Sequence, residues 1–90
     1  MTVIVSDTSI ENQIATSITH IYVHDKSIIK TLHHAINITS NEAELFAIRY
    51  GINQVTQLVN TNYIVVITDL IHMAKRIFDL SIYHIKFNLH

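Results

Sequence analysis

Thr39-Ser-Asn-Glu-Ala-Glu-Leu-Phe-Ala-Ile48, followed further on by Asn62-Tyr-Ile-Val-Val-Ile-Thr-Asp69, is the stretch whose reading decides the fold. Thr39 as N-cap sets Glu42 at the third helical position, the spacing of a capping box, and Asn41 offers a second start signal within the same turn. Leu45, Ile48, Ile52, Val55 and Val59 recur at intervals of three and four and predict an apolar stripe on a helix lying against a sheet. Gly51 interrupts that helix at about 1 kcal/mol relative to alanine, which a close approach of helix to sheet would explain. Tyr63 to Thr68 is nearly continuously apolar, as expected of a parallel strand covered on both faces.

Working outward, Val3-Ile-Val-Ser-Asp7 predicts a first strand over residues 2–7, with the polar run Thr8 to Gln13 as the turn after it. Residues 15–24 alternate Thr19, Ile21 and Val23 against His20, Tyr22 and His24, a strand pattern. Asp25-Lys26-Ser27 then turns the chain into a third run over 28–38, in which Ile28, Leu32 and Ile36 share a face. These three strands predict an antiparallel meander. A right-handed crossover through the helix then brings the Tyr63 strand parallel to the first. Leu70, Met73, Ala74 and Ile77 have helical spacing over 70–80, with Lys75 and Arg76 towards its end. Tyr83, Ile85, Phe87 and Leu89 alternate with polar residues and predict a fifth strand. The fold class is α/β, a mixed sheet in the order β-β-β-α-β-α-(β).

Composition narrows the alternatives. Ninety residues, 49% hydrophobic and 14% charged, suit one sheet-rich domain over 1–90. Without cysteine there is neither a disulfide nor a thiolate metal site. No run approaches the roughly 18 apolar residues of a membrane span, and the N-terminus lacks signal-peptide patterning. The expectation is an intracellular protein, cytoplasmic or nuclear, with no membrane partner. Seven acidic side chains against six basic ones give a net charge of −1, a weak objection to a nucleic-acid partner. Three of those acids stand apart. Asp7 and Asp69 close apolar strand runs, and Glu44 projects from the first turns of the helix, so together they suit a hard divalent cation. Read singly, Asp69 is also a helix N-cap and Asp7 a turn residue. The seven histidines show no spacing that gathers three or four ligands and read as surface or satisfied strand residues.

At Thr39-Ser-Asn-Glu-Ala-Glu-Leu-Phe-Ala and Val66-Ile-Thr-Asp69 the chain resembles the ribonuclease H type 1 family, and most closely the ribonuclease H domains of retrotransposon reverse transcriptases. That family has an Asp at the end of its first strand, a Glu in an A/M-E-L helix start and an Asp in a T-D strand end. These fall on Asp7, Glu44 and Asp69. Ile71 to Asp79 is similar to the helix that follows the second Asp in retroelement members. The resemblance implies a ribonuclease H-like fold and a Mg²⁺- or Mn²⁺-dependent hydrolase that cuts the RNA strand of RNA–DNA hybrids, with Asp7, Glu44 and Asp69 as metal ligands and catalytic residues. Two metals about 3.5–4 Å apart serve such chemistry.

Two features depart from the family pattern. No residue of the ninety falls on the family's fourth carboxylate, which lies beyond the part of the domain matched here. Asp7-Thr8-Ser9 also stands where the family has D-G-S. The expectation is therefore a weakened nuclease core, with a catalytically degenerate nucleic-acid-binding or oligomerising module as the alternative. Because nothing matches the family elements beyond the Tyr83–Leu89 strand, a homodimer through that strand's edge is also expected.

Overall fold

The computed structural model describes residues 1–60, 63–69 and 84–89, which form five strands and one helix. The strands are β1 (Thr2–Glu11), β2 (Ile14–Val23), β3 (Lys26–Ile36), β4 (Tyr63–Thr68) and β5 (His84–Leu89). The helix, α1 (Ser40–Leu58), connects β3 to β4. The sheet runs β3-β2-β1-β4-β5. β1, β2 and β3 are antiparallel neighbours, whereas β4 pairs parallel with β1 and β5 parallel with β4. This is a small α/β protein with a mixed sheet. The helix expected over 70–80, and Tyr83 at the start of the expected last strand, lie outside the described residues.

Alternation assigns the two faces of the sheet. Ile4, Ile21, Ile64 and Val66 are buried under α1 and join Ile48 and Val55 of the helix in the core. On α1 the buried positions are Ala43, Glu44, Ala47, Ile48, Gly51 and Val55. Of the expected stripe, Ile48 and Val55 are buried and Ile52 and Val59 are partly buried against the same core, while Ala43, Glu44, Ala47 and Gly51 are buried beside it. Thr39 caps the helix from an extended conformation, its Oγ1 accepting the Glu42 N–H at 3.1 Å, and its hydroxyl donates to Glu42 Oε1 at 3.2 Å.

The turns explain how a chain with one glycine and no proline makes hairpins. Glu11 pairs with Ile14, and Val23 with Lys26, leaving two-residue loops at Asn12-Gln13 and His24-Asp25. All four loop residues have positive φ, from 51° to 66°, as the primed hairpin turns require. Two boundaries therefore differ from the sequence expectation. β1 does not stop at Asp7 but continues to Glu11, because its second half stays paired to β2. The second turn falls at His24-Asp25 rather than over Asp25 to Ser27.

Gly51 faces the sheet where helix and strands touch. A Cβ there would lie 2.7 Å from Ile4 Cγ2 and 3.0 Å from Thr19 Cγ2, both on fully buried side chains. Gly51→Ala gains about 1 kcal/mol of helix propensity but overpacks the core, which typically costs about 1–3 kcal/mol. We expect net destabilisation, read as a lower urea midpoint. A raised midpoint would mean that the helix can move away from β1. No helix among the described residues is long and apolar enough to cross a membrane.

Candidate functional site

The site is built by strand alternation midway along β1 and at the C-terminal end of β4. Thr2, Ile4 and Ser6 point under the helix and are buried, and Thr8 continues that phase; Asp7 takes the opposite phase and is exposed. On β4 the same phase runs Ile64, Val66, Thr68, and exposed Asp69 follows in a bend. The parallel register pairs Val5 with Ile67. Carried on by two residues, it sets Asp7 level with Asp69 on the neighbouring strand. Glu44, one turn into α1, comes down on the same end of the sheet and is only 4% exposed.

Glu44 is held by one threonine from each strand. Thr68 donates to Oε2 at 3.1 Å, and Thr8 donates to Oε1 at 3.3 Å. Burial pushes the Glu44 carboxyl above its ordinary pKa. The Thr68 hydrogen bond opposes that shift, Asp69 adds to it by repulsion, the Thr8 hydrogen bond opposes it, and Asp7 adds to it again. Glu44 therefore feels the charges of both Asp69 and Asp7. Asp7 Oδ1 also accepts the Thr8 backbone N–H at 2.9 Å.

Hard carboxylate oxygens with mutually repelling charge are a donor set that suits Mg²⁺ or Mn²⁺. Among the described residues no three His, Asp or Glu side chains are drawn together as a finished metal-ligand cluster. The protein's own hydroxyls occupy the Glu44 oxygens, so a cation would have to share them. Fully buried Ser6 Oγ, level with Thr19 on β2, has no hydrogen-bond partner. Beside Asp7 a shallow groove of about 220 Å³ is lined by Thr8, Ser9, Thr16 and Ser17 together with Ile18 and Leu32. Hydroxyl side chains thus stand where the resemblance implies a glycine.

The sequence reading did not single out Thr8 and Thr68 as partners of Glu44. The available signal was their position, each adjacent to one of the carboxylates and therefore on the opposite phase of its strand. It also passed over a second polar contact under the helix. The Thr19 hydroxyl donates to the Ala47 carbonyl at 2.8 Å and lies 2.9 Å from His33 Nε2. With the hydroxyl proton given to Ala47, His33 must be the donor to Thr19 Oγ1. The Phe46 and Tyr50 rings meet the His33 imidazole edge-on at 5.1 and 4.8 Å. Burial, and secondarily neighbouring His34, hold the His33 pKa below its ordinary value.

Compared with protein-family models, with curated proteins and with solved structures, the chain finds no match in any of the three.

Proposed function

We propose that this chain is the core of a ribonuclease H-type, divalent-metal-dependent endonuclease acting on the RNA strand of RNA–DNA hybrids. The feature that supports this reading is the parallel pairing of β1 with β4, which, carried on by two residues beyond Val5–Ile67, brings Asp7 level with Asp69, beside a buried Glu44 that is bonded to Thr8 and Thr68. The order of three antiparallel strands, helix and parallel strand, which the resemblance implies, also supports it. Asp7, Glu44 and Asp69 would hold Mg²⁺ or Mn²⁺. Such ions, when bound, lower the pKa of a water nucleophile and neutralise charge on the phosphate oxygens. The chain's own contribution would be to carry the three carboxylates where β1 and β4 lie side by side and to hold Glu44 through Thr8 and Thr68. A ribonuclease H-like fold is part of the same proposal.

Cleavage by the ninety residues is expected to be slow, because no residue supplies the fourth carboxylate and the Thr8 and Ser9 side chains stand beside Asp7. Each 1.4 kcal/mol of lost transition-state stabilisation is about tenfold in rate. Mn²⁺ should outperform Mg²⁺, since it binds such ligands more tightly. The experiment is single-turnover cleavage of a labelled hybrid in Mn²⁺ by the native chain and by Asp7→Asn. Slow cutting of the RNA strand that Asp7→Asn abolishes is the expected result. Hybrid binding without any cleavage would instead favour a degenerate nucleic-acid-binding module. That second reading is favoured by one observation, the saturation of both Glu44 oxygens by threonine donors.

A further inference from the structure

We propose that β3 is a self-pairing edge, and that two copies of the chain join antiparallel along it, with a two-fold axis at Leu32. The proposal is independent of any chemistry at the carboxylates. It also concerns the opposite edge of the sheet from the β5 edge suggested by the sequence.

β3 closes the sheet on one side and is 11 residues long, against six for β5. A long edge strand presents unpaired backbone N–H and C=O groups, and proteins usually blunt such edges with lysines, bulges or short length. β3 carries exposed Lys26 and Lys30 and one register irregularity, yet it also exposes large apolar side chains on the face turned away from α1: Ile28 is 45% exposed, Leu32 58% and Ile36 68%. Its register with β2 is irregular only near Ile21 and Tyr22, which leaves Ile29 to Ile36 as regular strand.

The sequence of the strand selects the occupant, since a two-fold axis requires one surface to complement itself. With Leu32 opposite the Leu32 of a second copy, Ile29 meets Ala35, and Ile28, at the irregularity, comes nearest Ile36. In the same register Lys30 meets His34 and Thr31 meets His33. Apolar residues thus face apolar ones and polar residues face polar ones in every pair, and no lysine faces its own copy. Moving the axis to Thr31 would set Lys26 against Ile36, Ile28 against His34 and Lys30 against Leu32, so the pattern favours a single register.

Edge pairing alone buries little, but the open face of the sheet extends the contact. Ile18 on β2 pairs with Leu32, and Ile14 pairs with Ile36. Across the axis these become continuous apolar rows, Ile18–Leu32–Leu32–Ile18 and Ile14–Ile36–Ile28. On the helix side a groove of about 420 Å³ is bordered by His33 and Ala35 of this edge strand, floored by Ala15 and Ser17 of β2 and walled by Ala43 and Phe46 of α1. Ile29 and Thr31 of the second copy would extend its floor.

The chain has no cysteine, so a single introduced thiol reports the register. Directly opposed residues of an antiparallel pair have Cα atoms about 4.5–5.5 Å apart, within disulfide reach, whereas Ile28 lies roughly 26 Å from its own copy in this register. At tens of micromolar, sedimentation of the native chain should show a dimer. Leu32→Cys should oxidise to a covalent dimer and Ile28→Cys should not. Leu32→Lys, at an exposed position, should sediment as a monomer with native circular dichroism. A monomeric native chain would overturn the proposal. So would a dimer that survives Leu32→Lys, or one in which Ile28→Cys cross-links and Leu32→Cys does not.

Discussion

Thr68→Val is expected to destabilise the metal-free chain by about 2 kcal/mol at neutral pH, because it leaves a buried charged acceptor without its shorter hydrogen bond. In a domain of this size that corresponds to a fall in Tm of roughly 8–16 °C. The size follows from where Glu44 sits: its carboxylate is under the helix, Thr68 serves Oε2, and Thr8 holds the other oxygen at a longer distance. The pH dependence gives the prediction a sign. The Glu44 carboxyl holds its proton more tightly in the folded chain than in the unfolded one. That difference stabilises the fold at low pH, and the stabilisation is lost as pH rises through the folded pKa. Because the Thr68 bond favours the carboxylate, removing it raises the pKa further. The deficit of Thr68→Val against the native chain should therefore be small in acid and grow towards neutrality. Glu44→Gln should behave in the opposite way. Its amide keeps an acceptor for one threonine and a donor for the other while losing the buried charge, so the metal-free variant should melt above the native chain at neutral pH. A uniform loss in Thr68→Val at every pH would show that Thr68 acts through packing alone.

The parts of this molecule legible in its sequence are those governed by one strong local rule. The Thr39 cap with Glu42 three residues on, and the apolar run Tyr63–Thr68 against turn-forming flanks, appear at the expected positions. The close helix–sheet approach at Gly51 was also legible, since only contact explains a glycine inside an otherwise regular helix. Where two rules compete, the sequence misleads. Beyond Asp7 the apolar alternation fades, with Ser9, Ile10 and Glu11 exposed, yet Thr8, Ser9, Ile10 and Glu11 remain in β1 through their pairing with β2. Burial on α1 was sought among large apolar side chains. Contact is closest, however, where the side chains are smallest, at Ala43, Ala47 and Gly51, and that line carries Glu44 into the buried face. The turns were hidden because Asn12-Gln13 and His24-Asp25 adopt a backbone usually given to glycine.

For the site, residue types and strand phases were readable, and partners were not. Glu44 and Asp69 follow from their positions at the start of α1 and just after β4, whereas Asp7 closes the apolar run of β1 but not the strand, which continues to Glu11. That Glu44 is tied to Thr8 and Thr68 depends on which side of each strand faces the helix, and this is fixed by the register of β1 with β4, a contact between residues about sixty apart in the chain.

The central claim is that Asp7, Glu44 and Asp69 together form one divalent-cation site, and the most direct test is the melting temperature of the chain as Mn²⁺ is added. A ligand bound only by the folded state stabilises it by mass action, by about 2.7 kcal/mol at a hundredfold excess over Kd. Here the cation would also offset the burial, and the lesser repulsion by Asp69 and Asp7, that raise the Glu44 pKa, so the gain should be larger at neutral pH than in acid. The native Tm is expected to climb with Mn²⁺ through the millimolar range, and Asp7→Asn, Asp69→Asn and Glu44→Gln to climb little or not at all. A native Tm unchanged at saturating millimolar Mn²⁺, or one that rises equally in Asp7→Asn, would contradict the account.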